Sequence, residues 1–139
     1  LTESALVESE VTLPVLHALR DLGVRLHLDD FGTGYSSLAH LQDLPLHTVK
    51  IDRHFISRLG TEPAADAVTG AVVAVADRLG LSVIAEGVET DEQLDRVTAL
   101  GVHLIQGYRF APPAPLDELR HEWGTPAVVE RRATPPISR

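Results

Sequence analysis

The sequence predicts an α/β fold built on parallel strands, and three observations carry that reading. A Leu-Gly pair recurs at Leu22-Gly23, Leu79-Gly80 and Leu100-Gly101. Each pair is followed by a short apolar run that ends in a polar residue: Asp29 and Asp30, Glu86, and Gln106. A fourth unit, without the glycine, runs from Leu44-Pro45 to Lys50. Segments of helical periodicity separate these runs. Glycine just past a helix supplies a left-handed cap. Short Val/Ile/Leu runs alternating with helices argue for parallel strands. Polar groups at the C-terminal ends of such strands face one side of the sheet, which carries the chemistry in barrels and open α/β folds.

Each element has its own signal. Leu13, Leu16, Leu19 and Leu22 fall at helical spacing, so a helix is expected over 12–22, with Pro14 tolerated in its first turn. A strand over 24–28 follows, then a short helix over 36–41, stopped before Pro45, and a strand over 48–51. Val68, Val72, Val75 and Leu79 share one face of a long helix over 64–79. A strand over 81–85 comes next. Thr90 and Gln93 have capping-box spacing and open a helix that runs to Leu100. A strand over 102–105 and a short helix over 116–123 complete the pattern. Residues 1–123 form the globular part, and the Pro/Arg/Thr-rich tail over 124–139 is expected to be disordered. The sum is about four βα units, half of the eight that close a parallel (β/α)8 barrel of typically about 250 residues. The missing units are expected before Leu1, leaving an uncovered apolar inner face prone to self-association.

Composition excludes several function classes. The chain has 139 residues, is 44% hydrophobic and carries a net charge of −8, with no basic stripe for nucleic acid. It has no cysteine, so disulfides and thiolate metal sites are ruled out. No apolar run is long enough to span a membrane and no signal-peptide pattern opens the sequence. The absence of methionine, at the start and throughout, reads as a piece of a longer protein.

The strand tips supply the chemistry. Asp29 and Asp30 are adjacent carboxylates that repel each other unless a cation lies between them. Regular alternation would send them in opposite directions, but a strand that breaks into a loop lets both reach one or two metal ions. Gly32 and Gly34 allow positive φ and bring backbone N–H groups toward an anion. Lys50 is the only lysine; every other basic residue besides histidine is arginine. Lysine is a compact point charge and arginine a planar fork, so a lone lysine at a strand end suits a phosphate oxygen or a water. Asp52 shares the Lys50 face if the strand continues. Glu86 is suited to ligate metal or to act as a general base. Glu89 lies just before the Thr90 cap and is suited to holding that loop. Gln106 could orient a water or stabilise a turn. The histidines show no zinc-site spacing and read as partly exposed side chains.

These segments resemble the EAL family of bacterial cyclic-di-GMP phosphodiesterases. The resemblance rests on the run from Asp29 through Phe31, Gly32, Thr33, Gly34 and Tyr35 to Ser36, Ser37 and Leu38, then Lys50-Ile51-Asp52, Glu86-Gly87-Val88-Glu89-Thr90 and Gln106-Gly107-Tyr108. It covers roughly residues 1–115. It implies a modified (β/α)8 barrel, two Mg²⁺ or Mn²⁺ ions, and hydrolysis of cyclic-di-GMP to linear pGpG in the cytoplasm. By position, Asp29, Asp30 and Glu86 would ligate metal. Lys50 and Glu86 would be catalytic, and Asp52, Gln106, Glu3 and Glu89 would bind substrate or support the site. A homodimer contact through the Asp-Asp loop and an upstream sensor or GGDEF-type domain are expected partners. The Glu-Ala-Leu strand itself is absent, His103 stands where the family often has aspartate, and the isolated chain is expected to be inactive. The alternative is a non-catalytic module of the same fold that binds cyclic-di-GMP or a protein.

Overall fold

The computed structural model describes residues 1–2, 9–32 and 38–123. Glu3, Gly34 and the 124–139 tail lie outside the described residues. The element order is α1 (Ser9–Asp21), β1 (His27–Phe31), a 3₁₀ helix (Leu38–Asp43), β2 (Thr48–Ile51), α2 (Arg53–Ile56), α3 (Pro63–Arg78), β3 (Ser82–Glu86), α4 (Asp91–Ala99), β4 (Leu104–Gln106) and α5 (Leu116–Trp123). The strands form one parallel sheet in the order β1-β2-β3-β4. Thr2 adds a parallel bridge to Asp29 on the other side of β1.

The Leu-Gly repeats form one motif three times over. Gly23, Gly80 and Gly101 have φ of 85°, 69° and 88°. Their N–H groups donate to the carbonyls of Arg20, Asp77 and Thr98, and the next residues, Val24, Leu81 and Val102, donate back to Leu19, Ala76 and Val97. This is the Schellman pairing, which satisfies the last carbonyls of each helix. It also explains a consistent difference from the sequence expectation. Strands expected at residues 24, 81 and 102 begin at His27, Ser82 and Leu104, because the first residue after each glycine closes the helix instead of joining the ladder. Before β1 the delay is longest. Leu26 donates to Nδ1 of the half-buried His47 and accepts from its N–H, so this histidine joins the approaches to β1 and β2.

Two further differences concern helices. α1 starts at Ser9, so Pro14 falls inside it and not in its first turn. Pro14 is exposed, so water can take the carbonyl that its missing N–H leaves unpaired. The one-turn α2 has no periodicity to announce it and is an addition to the sequence expectation. The expected capping box is present: Thr90 Oγ1 accepts from Gln93 N–H at 3.2 Å, and Gln93 Oε1 accepts from Thr90 N–H at 3.2 Å. Thr90→Ala should therefore lower unfolding stability by about 1 kcal/mol, read as a shift in urea midpoint at unchanged slope.

The core lies between the sheet and the helices. Leu28, Val49, Ile51 and Ala85 are at most 1% exposed and pack with Leu16, Ile56, Val72, Val88 and Val97. Alternation and register place Thr48, Lys50, Ser82, Ile84, Glu86, Leu104 and Gln106 on the opposite face. The expected uncovered apolar inner face is thus mostly polar, with Ile84 and Leu104 as its apolar members.

Candidate functional site

The site is built where β1, β2 and β3 end. The ladder pairs Leu28 with Val49 and Phe31 with Ile51, so β1 carries one residue more than β2 across this stretch. Such a bulge breaks the alternation of the strand. Asp30 takes up the change with φ of 55°, a left-handed conformation that aspartate tolerates better than most residues. Adjacent carboxylates that would leave a regular strand on opposite faces are thereby brought together. Ligand oxygens of Asp29, Asp30 and Glu86 lie within 4.8 Å of one another.

Lys50 fills the gap between them. Its Nζ is 2.7 Å from Asp29 Oδ1 and 2.5 Å from Glu86 Oε1. The Lys50 and Glu86 side chains are 19% and 17% exposed, and that of Asp29 is 39% exposed, so the pairs are shielded on one side and open to solvent on the other. Burial pulls the Lys50 ammonium down, but its hydrogen bonds to Asp29 and Glu86 and their charges outweigh this and raise it above the usual lysine value. The hydrogen bond from Lys50 likewise holds the Asp29 carboxyl below its ordinary value, against the opposing effect of burial. Hard carboxylate oxygens around a positive centre are the donor set that Mg²⁺, Mn²⁺ or Ca²⁺ takes.

The other sequence candidates are placed around this centre in different ways. Gln106 ends β4 directly beside Glu86 in register. Its side chain is exposed, and its carbonyl accepts from Val88 N–H. Asp52 follows β2, but its Oδ1 accepts from His54 N–H at 2.8 Å and caps α2. Glu89 is exposed, and its N–H donates to Gln93 Oε1 at 2.7 Å. The loop it occupies is held by Gln93 and by two groups that sequence reasoning missed. Arg109 Nε lies 2.6 Å from Asp91 Oδ1, and Arg109 N–H donates to Val88 carbonyl. An arginine shortly after a strand tip gives no signal in sequence, because its partner is 18 residues away.

At the other end of the strands, a groove of about 470 Å³ lies between α3 and the starts of β3 and β4, lined by Val73, Asp77, Leu81, Ser82, His103 and Leu104. It is remote from Asp29, Asp30 and Glu86.

A family model described as the EAL domain matches residues 1–113. The chain belongs to the EAL domain family. The EAL chain is 47% identical over 120 residues to the cyclic di-GMP phosphodiesterase NbdA of Pseudomonas aeruginosa, covering 86% of this chain and 15% of NbdA. It superposes on the PaMucR phosphodiesterase, solved as a c-di-GMP complex, with a TM-score of 0.81 and 41% identity, covering 86% of this chain and 49% of that one. It superposes on a manganese/cy-diGMP complex of Klebsiella pneumoniae BlrP1 with a TM-score of 0.76 and 34% identity, covering 81% of this chain and 29% of that one. The EAL chain therefore spans a minor part of the length of these relatives. Its parallel βα units have the TIM-barrel-like fold of EAL domains.

Proposed function

We infer that this EAL chain forms part of a domain that hydrolyses cyclic-di-GMP to linear pGpG, with Asp29, Asp30 and Glu86 holding divalent Mg²⁺ or Mn²⁺. The observation that carries the reading is the Lys50 ammonium bound to both Asp29 and Glu86 at the strand ends. A cluster that already holds one cation at hydrogen-bonding distance is a cluster built for positive charge, and this donor set fits the metals. The names of the relatives and the manganese and c-di-GMP complexes support the substrate and the ion class.

When bound, a divalent ion supplies Lewis acidity toward the phosphate and lowers the pKa of water. The chain's own residues do the rest. Lys50 offers three rotatable N–H donors. With two of them toward Asp29 and Glu86, the third can hold a phosphate oxygen or orient the attacking water. Glu86 would take the proton from that water as its oxygen bonds to phosphorus and the P–O bond to the leaving ribose oxygen breaks, that oxygen taking a proton from solvent. Gln106, one strand over, can orient the substrate edge. Glu3, Asp52 and Glu89 belong to the surrounding support.

The same proposal assigns the domain to the cytoplasm. No described helix is long and apolar enough to cross a membrane. It also includes a homodimer contact through the Asp-Asp loop and an upstream sensor or GGDEF-type domain, in keeping with the extent of NbdA beyond the matched segment.

The test uses the whole protein, cyclic-di-GMP and either Mg²⁺ or Mn²⁺, with products separated by chromatography. Appearance of pGpG that stops on chelation is the expected result. Binding of cyclic-di-GMP without turnover in either metal would overturn the enzyme reading and leave the non-catalytic module.

A further inference from the structure

α2 is a single turn, yet it touches both turns that follow the site's carboxylates. It begins three residues after Lys50 and is anchored by Ile56, which is fully buried. On one side, the Phe55 ring lies against Gly32, in the turn that follows Asp29 and Asp30. On the other, Arg53 Cβ and Cα lie against Gly87, the residue after Glu86. A Cβ at either glycine would enter the α2 residue that faces it. Both glycines also have positive φ, 98° and 70°. The close approach and the turn geometry therefore demand glycine at both positions.

An isolated turn of helix does not hold itself together, because fixing its first turn costs more than the hydrogen bonds return. α2 is fixed at its start by Asp52. The carboxylate accepts from His54 N–H at 2.8 Å, and the Asp52 carbonyl accepts from Phe55 N–H at 3.1 Å. Asp52 has extended dihedrals, φ −61° and ψ 146°, as an N-cap should.

We propose that α2 is a wedge that sets the distance between the Asp29–Asp30 turn and Glu86, and that Asp52 is a positioning residue that acts by capping this wedge. Its negative charge at the site is not what is required of it. Lys50 can reach both Asp29 and Glu86 because the two flanking loops rest on opposite sides of the same helical turn. Loss of the cap frays the turn, and both loops lose their stop together.

The role separates from a direct part in the chemistry through the choice of substitution. Asparagine and serine cap as well as aspartate, and alanine does not. Neither asparagine nor serine carries the charge. The experiment is amide hydrogen exchange on the whole protein, comparing Asp52→Ala, Asp52→Asn and Asp52→Ser over residues 29–32 and 86–88. In Asp52→Ala, exchange should rise in both segments by about fivefold, the population change that losing one N-cap produces. In Asp52→Asn and Asp52→Ser, both segments should stay near wild type, and Mn²⁺ affinity should follow the same order. If Asp52→Ala unfolds globally, the two polar variants decide alone. Protection retained in both segments supports the wedge, and protection lost in both overturns it. Unchanged exchange in a folded Asp52→Ala would also overturn it. The inference rests on the proposed function only for its consequence in Mn²⁺ affinity. A protein that bound no manganese would sink the cation reading, while the exchange pattern would still decide the wedge.

Discussion

Asp29→Asn in the whole protein should weaken Mn²⁺ binding by at least about tenfold, whereas Lys50→Arg should leave binding within about twofold and still remove most turnover. The two residues touch each other at 2.7 Å, so the contrast is informative. Asp29→Asn removes a negative ligand from the cluster, and excess Mn²⁺ should recover part of the activity. Lys50→Arg keeps the positive charge, so the electrostatics of the cluster change little. What changes is shape: a planar fork replaces a compact ammonium that is now 2.5 Å from Glu86 and 2.7 Å from Asp29. A misplacement of about 1 Å in a water or phosphate costs on the order of a hundredfold in rate. Calorimetric titration with Mn²⁺ beside turnover measurements would separate the two effects. Turnover by Lys50→Arg near the parental rate would reduce Lys50 to a steering charge.

The second large effect is on stability. Gly107→Val should cost about 3 kcal/mol or more, read from the urea midpoint. A Cβ at Gly107 would collide with the backbone nitrogen, carbonyl carbon and oxygen of Val88. Val88 cannot give way. Its side chain is fully buried, its N–H donates to Gln106 and its carbonyl accepts from Arg109. Because the collision is with Cβ itself, Gly107→Ala should lose most of the same stability. Gly70 is the matched control. It lies inside α3, and a methyl carbon added there would meet nothing within 4 Å beyond its own stretch of helix, so Gly70→Ala should raise stability by up to about 1 kcal/mol. A tolerated Gly107→Ala would show that the loop after β4 can separate from the loop after β3.

Most of the architecture was legible because each βα unit repeats the same local chemistry. Leu-Gly gives the helix stop, a short apolar run gives the strand, and a polar residue marks its tip. These signals are local, and local signals survive in sequence. The convergence of Asp29, Lys50 and Glu86 followed from parallel strands having their C-terminal ends on one side. Four features were not legible, for physical reasons. The bulge at Asp29–Asp30 depends on the register against β2, which no local pattern states. α2 is too short to show a period, and Asp52 there looks like a continuation of the Lys50 strand, when its carboxylate turns back to cap a helix. The Arg109–Asp91 pair joins residues brought together by the fold alone. The mostly polar face opposite the helices was not legible either, because alternation in short apolar runs does not reveal which side the helices will cover.

The Lys50 bridge has a consequence for how the protein is made. Neighbouring carboxylates ordinarily oppose the collapse of the chain that gathers them, and many metal-binding domains stay unfolded until the metal arrives. Here a covalently attached placeholder accompanies the acidic residues through synthesis. Its Nζ bonds to Asp29 and Glu86 offset part of their mutual repulsion as the strand ends come together. If the cluster takes up ions as proposed, folding and ion uptake are separable, and a chelator should leave the whole protein folded.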